Sequence, residues 1–244
     1  MSGTTARGSA RDGQRPGREP DWPPTSLLGG LAPPVRDRLL ALGTRVRYTA
    51  DHVLMREAEQ TGFVLVLLDG LVKVTGRTHD GRDALLAVRR GGDLVGEFAA
   101  VDGRPRSATV TTCGTVTARL VTRGDFLARL RDEPVLAHAV NTAVVTKLRT
   151  ATGHRVDFTG CDTTTRLARV LHQIALSHGR PTGAGAVIDW PLTQPELATL
   201  CGAAEPTVHK ALRRLREAGV VTTGYRSIRV EDLALLRRWA DEAP

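Results

Sequence analysis

The sequence predicts an α+β protein with three parts in order: a β-roll, a long helix, and a smaller helical domain with a two-stranded hairpin. Two observations predict this order. Apolar residues occur in short, strand-length runs between residues 45 and 122, and from residue 123 they recur at helical spacing. A third observation sets the number of domains, because 244 residues, 41% of them hydrophobic, are enough to build two cores.

The boundaries of these parts follow from shifts in composition. Residues 1–24 are predicted to be a disordered tail, since they are rich in Gly, Pro, Ser and Arg and hold only Trp22 as a large apolar group. Leucines between residues 25 and 43 predict one short helix before the strands. The predicted domains are a β-roll at 25–131, the long helix with a hinge at 132–161, and the carboxy-terminal domain at 162–244.

The β-roll is predicted from apolar runs such as HVLM, FVLVLL, ALLAV and TVTARLV, which Gly and Asp residues separate. Asp69-Gly70, between two of these runs, is a strong hairpin signal. A stretch at 96–110, GEFAAVDGRPRSATV, interrupts the strand pattern.

The long helix is predicted over residues 133–156 and carries a stripe of apolar residues about one residue wide. The stripe consists of Leu136, Val140, Val144, Leu148 and Ala151. A narrow stripe on a long helix is typical of a two-stranded coiled coil, so we expect a homodimer through this helix. The alternative is that the helix packs on its own β-roll.

The end of this helix marks the predicted domain boundary. Gly153 and the polar segment FTGCD at 158–162 are expected to break it, with a hinge at Gly160 to Asp162. Asp162 is well placed to cap the next helix.

The carboxy-terminal domain contains two short helices joined by a tight turn. Thr193 and Glu196 form a capping box that begins the first helix, and Gly202 ends it. The second helix is predicted over Glu205 to Glu217, with Gly219 as its left-handed stop. This is a helix-turn-helix, and the VVTT and SIRV runs after it predict a two-stranded wing.

The outer face of the second helix and the wing are predicted to contact double-stranded DNA. The candidate DNA-binding residues are Thr193, Glu205, Pro206, Thr207, His209, Lys210, Arg213, Arg214 and Arg226. Basic side chains on a helix that can enter the major groove would contact bases and phosphates, and Arg226 on the wing would contact a phosphate. The alternative for any one basic helix is a solvated surface.

The charge of the whole chain suits the same partner. Its formal net charge is +8 and its isoelectric point is about 10.3, carried almost wholly by arginine. This balance favours a polyanion, although an arginine bias also reflects a GC-rich genome. The cysteines, Cys113, Cys161 and Cys201, are far apart and odd in number, so we expect reduced, structural thiols.

The stretch at 96–110 makes the function more specific. A β-roll, a long dimer helix and a winged helix-turn-helix, in that order, resemble the cyclic-AMP receptor protein family of bacterial transcription regulators. The stretch is similar to the phosphate-binding cassette that this family shares with the regulatory subunits of cyclic-nucleotide-dependent kinases. The resemblance covers about residues 25–240 and keeps the cassette's acid, arginine and spacing.

The resemblance implies cyclic AMP as an allosteric ligand. The candidate ligand-binding residues are Gly96, Glu97, Phe98, Ala99, Arg106, Ser107 and Thr152. Arg106 can hold the phosphate with a bidentate contact, helped by the Ser107 hydroxyl and by backbone N–H groups of a short helix that starts near Gly96. Glu97 can only accept, which fits the ribose 2′-hydroxyl. The alternative is that Glu97 merely pairs with Arg106.

Three departures from the family pattern limit the resemblance. The long helix offers only Thr150-Ala151-Thr152 where the family usually holds the base with a polar residue. Asp51 and Ala58 stand where turn glycines are common, which we interpret as drift. The recognition helix starts with Ala204-Glu205-Pro206 instead of the family's frequent Ser-Arg-Glu, so the family's operator sequence is not expected.

Other classes of function lack support in the sequence. No amino-terminal cysteine cluster could hold an iron–sulfur centre, and His52, Met55 and His79 are better explained as ordinary residues than as haem ligands. We find no catalytic constellation, no metal triad and no nucleotide-hydrolase loop, so we expect a protein that is not an enzyme. We find no apolar run of membrane-spanning length and no signal peptide, so we expect a cytoplasmic protein.

The sequence therefore predicts a homodimeric transcription regulator that binds cyclic AMP and a two-fold operator. RNA polymerase is a further candidate partner. One alternative is a regulator of the same family that binds DNA without nucleotide. Another is a cyclic-nucleotide-binding regulatory subunit of an enzyme, which would not need the basic helix.

Overall fold

The computed structural model describes residues 22–241. Most of the predicted tail, residues 1–21, lies outside this range, as do residues 242–244. The last three residues assigned to the tail are held against the β-roll. The Trp22 indole N–H donates to the Leu68 carbonyl oxygen at 2.9 Å, and the Arg36 guanidinium lies 5.6 Å from the centre of the indole ring. The sequence prediction of a disordered segment therefore does not fit residues 22–24.

Two short helices replace the single helix predicted for residues 25–43. Helix α1 spans Leu27–Gly30 and helix α2 spans Pro33–Leu40. The break lies at Leu31 and Ala32, which are extended. Ala32 directly precedes a proline, and the proline ring disfavours the helical conformation of the residue before it.

The β-roll is made of two four-stranded antiparallel sheets. Its elements are β1 (Thr44–Tyr48), β2 (Val53–Met55), β3 (Phe63–Asp69), β4 (Leu71–Arg77), β5 (Asp83–Arg90), β6 (Leu94–Val95), helix α3 (Glu97–Asp102), β7 (Thr109–Thr112) and β8 (Val116–Thr122). One sheet has the order β1-β8-β3-β6 and the other β2-β7-β4-β5. Alternate residues of the strands bury a core between them, including Leu65, Leu67 and Val110.

Left-handed residues make the tight turns of the roll. Gly70 has φ +89° and carries the chain from β3 to β4, which lie in different sheets. The predicted hairpin at Asp69-Gly70 is therefore wrong, because the turn leads into another sheet instead of pairing the two strands. Asp51 and Ala58 have φ 57° and 67°, so the positions where turn glycines were expected do require the left-handed conformation. Their side chains are tolerated at some cost in strain.

Helix α4 (Arg123–Asp132) leads into the long helix α5 (Pro134–Gly160). The prediction that Gly153 breaks this helix is wrong, because α5 continues to Gly160. A single glycine costs a helix only about 1 kcal/mol, which the rest of α5 outweighs. Helix α5 ends within the segment predicted as a hinge, and the Asp162 carboxylate accepts a hydrogen bond from the Thr165 amide at 2.7 Å, as the predicted cap of the next helix.

The predicted apolar stripe of α5 divides between two faces. Leu136 and Val140 are buried in the core of their own β-roll, as the alternative to the coiled coil expected. Val144 is half-buried, whereas Leu148 is 64% exposed. The exposed apolar face of α5 consists of Val145, Leu148 and Val156.

The carboxy-terminal domain has the predicted helix-turn-helix and wing. Its elements are α6 (Thr163–His178), β9 (Arg180–Thr182), β10 (Gly185–Ile188), α7 (Gln194–Cys201), α8 (Glu205–Glu217), β11 (Val221–Gly224), β12 (Ser227–Val230) and α9 (Leu233–Asp241). Gly202 and Gly219 end their helices with φ 57° and 69°. One face of α8 buries Val208, Ala211, Leu212 and Leu215.

The two domains share one hydrophobic core through strand β5. Leu85 and Val88 belong to the same buried cluster as Leu171, Leu200 and other residues of the carboxy-terminal domain. The Leu85 amide also donates to the Thr199 hydroxyl at 2.9 Å. Lys73 on β4 pairs with Glu196 on α7 at 2.6 Å.

A β-bulge in β5 directs neighbouring side chains toward two different parts of the molecule. Val74 pairs with Ala87 and Thr75 pairs with Leu85, which leaves Leu86 without a partner in the β4–β5 register. A bulge redirects side chains. Leu86, Ala87 and Arg89 consequently line a cavity within the β-roll, while Leu85 and Val88 pack against the helix-turn-helix.

Candidate functional site

The stretch at 96–110 forms one wall of a cavity of about 440 Å³, and helix α5 forms the opposite wall. The cavity is lined by Met55, Val74, Leu86, Ala87, Arg89, Val95, Gly96, Glu97, Phe98, Ala99, Arg106, Ser107, Ala108, Val110, Val144, Lys147, Leu148, Thr150, Ala151 and His154. The walls are largely apolar, with a few polar groups that converge on the space. This is the usual composition of a site for a small molecule.

Arg106 is the most firmly held cation of the cavity. It is only 3% exposed, and its Nε donates to the Thr61 hydroxyl at 2.7 Å. Its Nη1 and Nη2 donate to the carbonyl oxygens of Gly96 at 2.9 Å and Phe63 at 2.6 Å. Burial lowers the pKa of Arg106, which the nearby Glu97 carboxylate opposes. The guanidinium is thereby fixed beside the first residue of the cassette.

Glu97 pairs with Lys147 of α5 and not with Arg106. The Lys147 ammonium donates to Glu97 Oε1 at 2.7 Å and to the Leu94 carbonyl oxygen at 2.7 Å. Burial lowers the pKa of Lys147, and Glu97 opposes this shift. The alternative in which Glu97 merely pairs with Arg106 is therefore wrong, and the acid of the cassette is joined to the long helix instead.

The backbone of the cassette places the start of a helix beside the cavity. Gly96 has φ +84°, and a side chain there would come within 2.6 Å of Arg106 Nη1. Helix α3 begins at the next residue, and the first amides of a helix have no partner inside it. Phe98, Ala99 and Ser107 also line the cavity. Six of the seven predicted ligand-binding residues therefore lie together.

Thr152 is the exception. It is exposed and does not line the cavity of its own chain, whereas Thr150 and Ala151 do. Thr152 is two positions from both Thr150 and His154, so it lies on nearly the opposite side of the helix from these two lining residues.

Lys147 is a charged residue of the cavity that the sequence analysis missed. Val140, Val144, Lys147, Ala151 and His154 follow one another at three- and four-residue intervals, which places them on one helical face. Following this pattern to Lys147 rather than to Leu148 would have identified the lysine. An isolated lysine on a helix is usually solvated, so the sequence alone gives no reason to place it in a cavity.

The predicted reading face of α8 is exposed to solvent. Glu205, Pro206, Thr207, His209, Lys210, Arg213 and Arg214 are all exposed, while the opposite face is buried. Arg213 pairs with Glu217 at 3.5 Å on the surface of the helix. The cations of this face are thus free of buried partners and accessible to a phosphate or a base edge.

Thr193 and Arg226 occupy the edges of this surface. The exposed Thr193 caps α7, because its hydroxyl accepts from the Glu196 amide while the Glu196 carboxylate accepts from the Thr193 amide. Arg226 lies in the exposed wing turn with φ 53°. It also lines a cleft toward the β-roll that contains Lys73, Asp83 and Glu196.

Two family descriptions match the chain, each over one of its domains. The cyclic nucleotide-binding domain matches residues 45–133, and the Crp-like helix-turn-helix domain matches residues 165–239. Together they cover the two parts that the fold and the cavity define. The chain belongs to the Crp-like family of transcription regulators. This Crp-like regulator therefore carries a cyclic-nucleotide-binding domain and a DNA-binding helix-turn-helix.

Relatives of this Crp-like regulator are similar over most of their length. The chain is 29% identical over 195 residues to the "CRP-like cAMP-activated global transcriptional regulator" of Mycobacterium tuberculosis, covering 80% of this chain and 87% of the relative. It is 28% identical to the "Cyclic AMP receptor protein" of Thermus thermophilus, covering 88% and 96%. FixK2 from Bradyrhizobium japonicum shares the fold, with a TM-score of 0.70 and 22% identity over 83% of this chain and 100% of that chain.

Two kinds of feature are absent from residues 22–241 of this Crp-like regulator. None of its helices is long and apolar enough to cross a membrane. We also find there no group of three or more His, Cys, Asp or Glu residues placed to hold a metal ion.

Proposed function

We propose that this chain is a homodimeric transcription regulator that binds cyclic AMP in the cavity and a two-fold operator through α8. One observation carries the ligand half of the proposal: Glu97, Arg106 and Ser107 of the cassette line one cavity together with Lys147 of the long helix. The names of the mycobacterial and Thermus relatives, which refer to cyclic AMP, support the choice of nucleotide.

Arg106 keeps enough donors for a phosphate. A guanidinium has five N–H groups, and hydrogen bonds to Thr61, Gly96 and Phe63 use three of them. The two that remain, one on each Nη atom, are the number that a bidentate phosphate contact requires. Ser107 would add a hydroxyl donor from the same wall of the cavity.

Glu97 keeps acceptor capacity for a ribose hydroxyl. A carboxylate offers about four acceptor positions, and Lys147 occupies one on Oε1. The ribose 2′-hydroxyl would donate to another. Lys147 would add positive charge near the phosphate, so the cavity would suit an anion that also carries a hydroxyl donor.

The DNA half of the proposal rests on the exposed face of α8. In a dimer joined through the exposed apolar face of α5, two copies of α8 would meet the same side of a duplex about one helical turn apart. Glu205 and His209 in the first turns would contact bases, and Arg213, Arg214 and Arg226 would contact phosphates. Thr193 at the start of α7 would also lie beside the backbone of the duplex.

A second candidate function is DNA binding that does not depend on nucleotide. The observation that favours it is that both Glu97 and Arg106 already have partners within the chain. These contacts stabilise the cassette without any ligand. The alternative of an enzyme's regulatory subunit is disfavoured by the Crp-like match over the DNA-binding domain.

Calorimetric titration distinguishes these functions. We expect the full chain to bind cyclic AMP more tightly than cyclic GMP and linear AMP, and selection from random duplexes to give a two-fold motif. A selected duplex should then tighten cyclic AMP binding by the same factor by which cyclic AMP tightens duplex binding, because coupling is reciprocal.

Two results would contradict parts of this proposal. A two-fold motif without nucleotide binding at micromolar protein would favour the nucleotide-independent function. Nucleotide binding without any selected motif would remove the DNA-binding half.

The proposal has three further parts: a cytoplasmic location, RNA polymerase as a further partner, and the lack of enzymatic activity.

A further inference from the structure

The wall of the cavity formed by α5 carries polar groups that the phosphate and ribose do not use. Arg106, Ser107, Glu97 and Lys147 belong to those two parts of the ligand in the function proposed above. Thr150 and His154, one helical turn apart, are the other polar side chains that α5 contributes to the lining. A purine base that extends from the ribose along α5 would meet one of these two.

Thr150 has little to offer a base. Its hydroxyl donates to the Thr146 carbonyl oxygen of the preceding turn at 3.1 Å. A hydroxyl has one proton, so Thr150 can only accept from a ligand. Its oxygen is also held close to the helix backbone.

His154 is held in a different way, by the DNA-binding domain. Its Nε2 lies 3.2 Å from Oε1 of Gln173 on α6, the first helix of that domain. We propose that His154 reads the base of the bound nucleotide and that Gln173 sets the tautomer with which it reads. His154 would be the specificity-determining residue in place of Thr152, and Gln173 a positioning residue.

The contact with Gln173 determines whether His154 donates a hydrogen bond to the base or accepts one from it. When Nε2 donates to the amide oxygen of Gln173, Nδ1 carries no proton and becomes the acceptor of the ring. An acceptor favours the exocyclic amine of adenine over the exocyclic oxygen of guanine or hypoxanthine. The arrangement therefore selects a 6-amino purine.

The same contact links the ligand to the DNA-binding domain. Helix α6 packs in one buried cluster with α7 and α8 through residues that include Leu167, Leu171 and Leu200. A base held by His154 would stabilise the position of Gln173 and with it the orientation of α6 relative to α5. The nucleotide would thus be connected to α8 through successive contacts of His154, Gln173 and α6. This inference rests on the proposed function, in which the cavity binds a cyclic nucleotide.

The test compares two ligands that differ at one group. Cyclic AMP and cyclic IMP share the ribose and the phosphate, but carry an amine and an oxygen at position 6 of the base. Because one hydrogen bond is lost and one acceptor is left unpaired, we expect the wild-type chain to prefer cyclic AMP by about tenfold. In His154→Phe this preference should fall to within about twofold.

Matched variants separate this role from general damage. His138→Phe makes the same change on an exposed part of α5 that does not line this cavity, so it should keep the preference. His154→Ala only removes atoms and gives the same comparison if His154→Phe folds poorly. Gln173→Leu should reduce the preference, whereas Gln173→Glu should keep it, because a carboxylate still accepts from Nε2.

Each outcome decides between the proposals. An unchanged preference in both His154 variants would overturn the inference while leaving nucleotide binding intact, and a preference lost in Thr152→Val instead would return base reading to Thr152. A preference lost equally in Gln173→Glu and Gln173→Leu would overturn the role of Gln173. If the wild-type chain bound neither nucleotide, the proposed ligand function itself would fall, and this inference with it.

Discussion

Arg106 is fixed in place by three hydrogen bonds, two of them to backbone carbonyl oxygens. A side chain held in this way loses little conformational entropy when an anion binds, since its rotamer is already selected. Gly96 contributes by leaving room for the guanidinium, because a side chain there would collide with it. The cassette is therefore arranged for an anion by contacts within the chain.

We expect Arg106→Ala to weaken cyclic AMP binding at least tenfold. The substitution removes a charge-assisted bidentate contact, which contributes about 1.5 to 3 kcal/mol. Arg104→Ala is the matched control, because Arg104 is an exposed arginine of the same loop. Equal affinities of the Arg106 variant and the wild type, measured by calorimetry, would show that the phosphate binds elsewhere.

At the reading surface, we expect Glu205→Ala to cost about 1 to 3 kcal/mol on the preferred operator. A carboxylate in the major groove accepts from the cytosine amine, so one position in each half-site should become degenerate. Glu217→Ala, at the far end of α8, removes a carboxylate outside the expected groove contact. Selection from random duplexes measures both variants, and an unchanged motif from Glu205→Ala would exclude Glu205 from base reading.

The cassette residues were predictable from sequence because the motif is contiguous. Glu97, Arg106 and Ser107 are near in the chain, and the turn between them brings them to one wall. Lys147 and His154 are some 50 residues away, and only the packing of α5 against the roll brings them to the cavity. The prediction of Thr152 rests on its polarity, and polarity does not determine the direction in which a helix points a side chain.

Among the elements, α5 has two faces that a single apolar stripe in the sequence does not separate. One face covers the roll and the cavity, and the other leaves Val145 and Val156 exposed at 47% and 63%. Leu148, 64% exposed, lies where the two faces meet, because it also lines the cavity. Apolar side chains in a row on a long helix are a common dimer surface. The predicted dimer helix remains a prediction, now with a more specific set of residues.

We expect Leu148→Glu to convert the dimer to a monomer at micromolar concentration. Two carboxylates would have to be buried at the seam, which costs several kcal/mol. Thr146→Glu is the control, because Thr146 is also exposed on α5 but, two positions from Leu148, lies on nearly the opposite side of the helix. Sedimentation decides the matter, and a wild-type chain that sediments as a monomer would contradict the dimer.

Helix ends were the elements most accurately predicted. The capping box of Thr193 and Glu196 and the left-handed Gly202 and Gly219 are local signals that depend on a few adjacent residues. Gly153 misled the prediction because glycine lowers helix stability without forbidding the helix. The interruption at Ala32 would have needed attention to the proline that follows it.

In the whole molecule, the sensor and DNA-binding domains are joined by more than the hinge. Lys73 forms a salt bridge with Glu196, and the Leu85 amide donates a hydrogen bond to the Thr199 hydroxyl. The Arg90 guanidinium donates to the Ser177 carbonyl oxygen at 2.7 Å. The core that they border contains residues of both domains. No local pattern in the sequence predicts such contacts, since they depend on how two complete domains meet.

His178 at this junction makes the stability of the molecule dependent on pH. Burial, with Arg90 and Arg89 nearby, lowers its pKa to about 4 from the usual 6.5. The unfolded chain then binds the proton more readily, so stability is full above about pH 6.5 and declines as the pH falls toward 4, by about 3 kcal/mol in all. Within residues 22–241 its Nδ1 atom is buried without a hydrogen-bond partner.

We expect His178→Gln to have a smaller loss of stability between pH 6.5 and 4 than the wild type. Denaturant unfolding at a series of pH values measures this loss. His79→Gln, in an exposed loop of the roll, should keep the full wild-type dependence. Parallel curves for the wild type and the His178 variant would assign the acid sensitivity to other groups.

Strand β5 limits how this protein can be divided. Leu85 and Val88 fill the core of the DNA-binding domain, while the bulged Leu86 and its neighbours Ala87 and Arg89 line the ligand cavity. A DNA-binding domain cut out at the hinge would lose part of its own interior and expose an apolar surface to water. In a chimera that joins this sensor to another regulator's DNA-binding domain, the β4–β5 hairpin would have to fit the new domain. A DNA-binding domain must therefore be exchanged together with the hairpin that packs into its core.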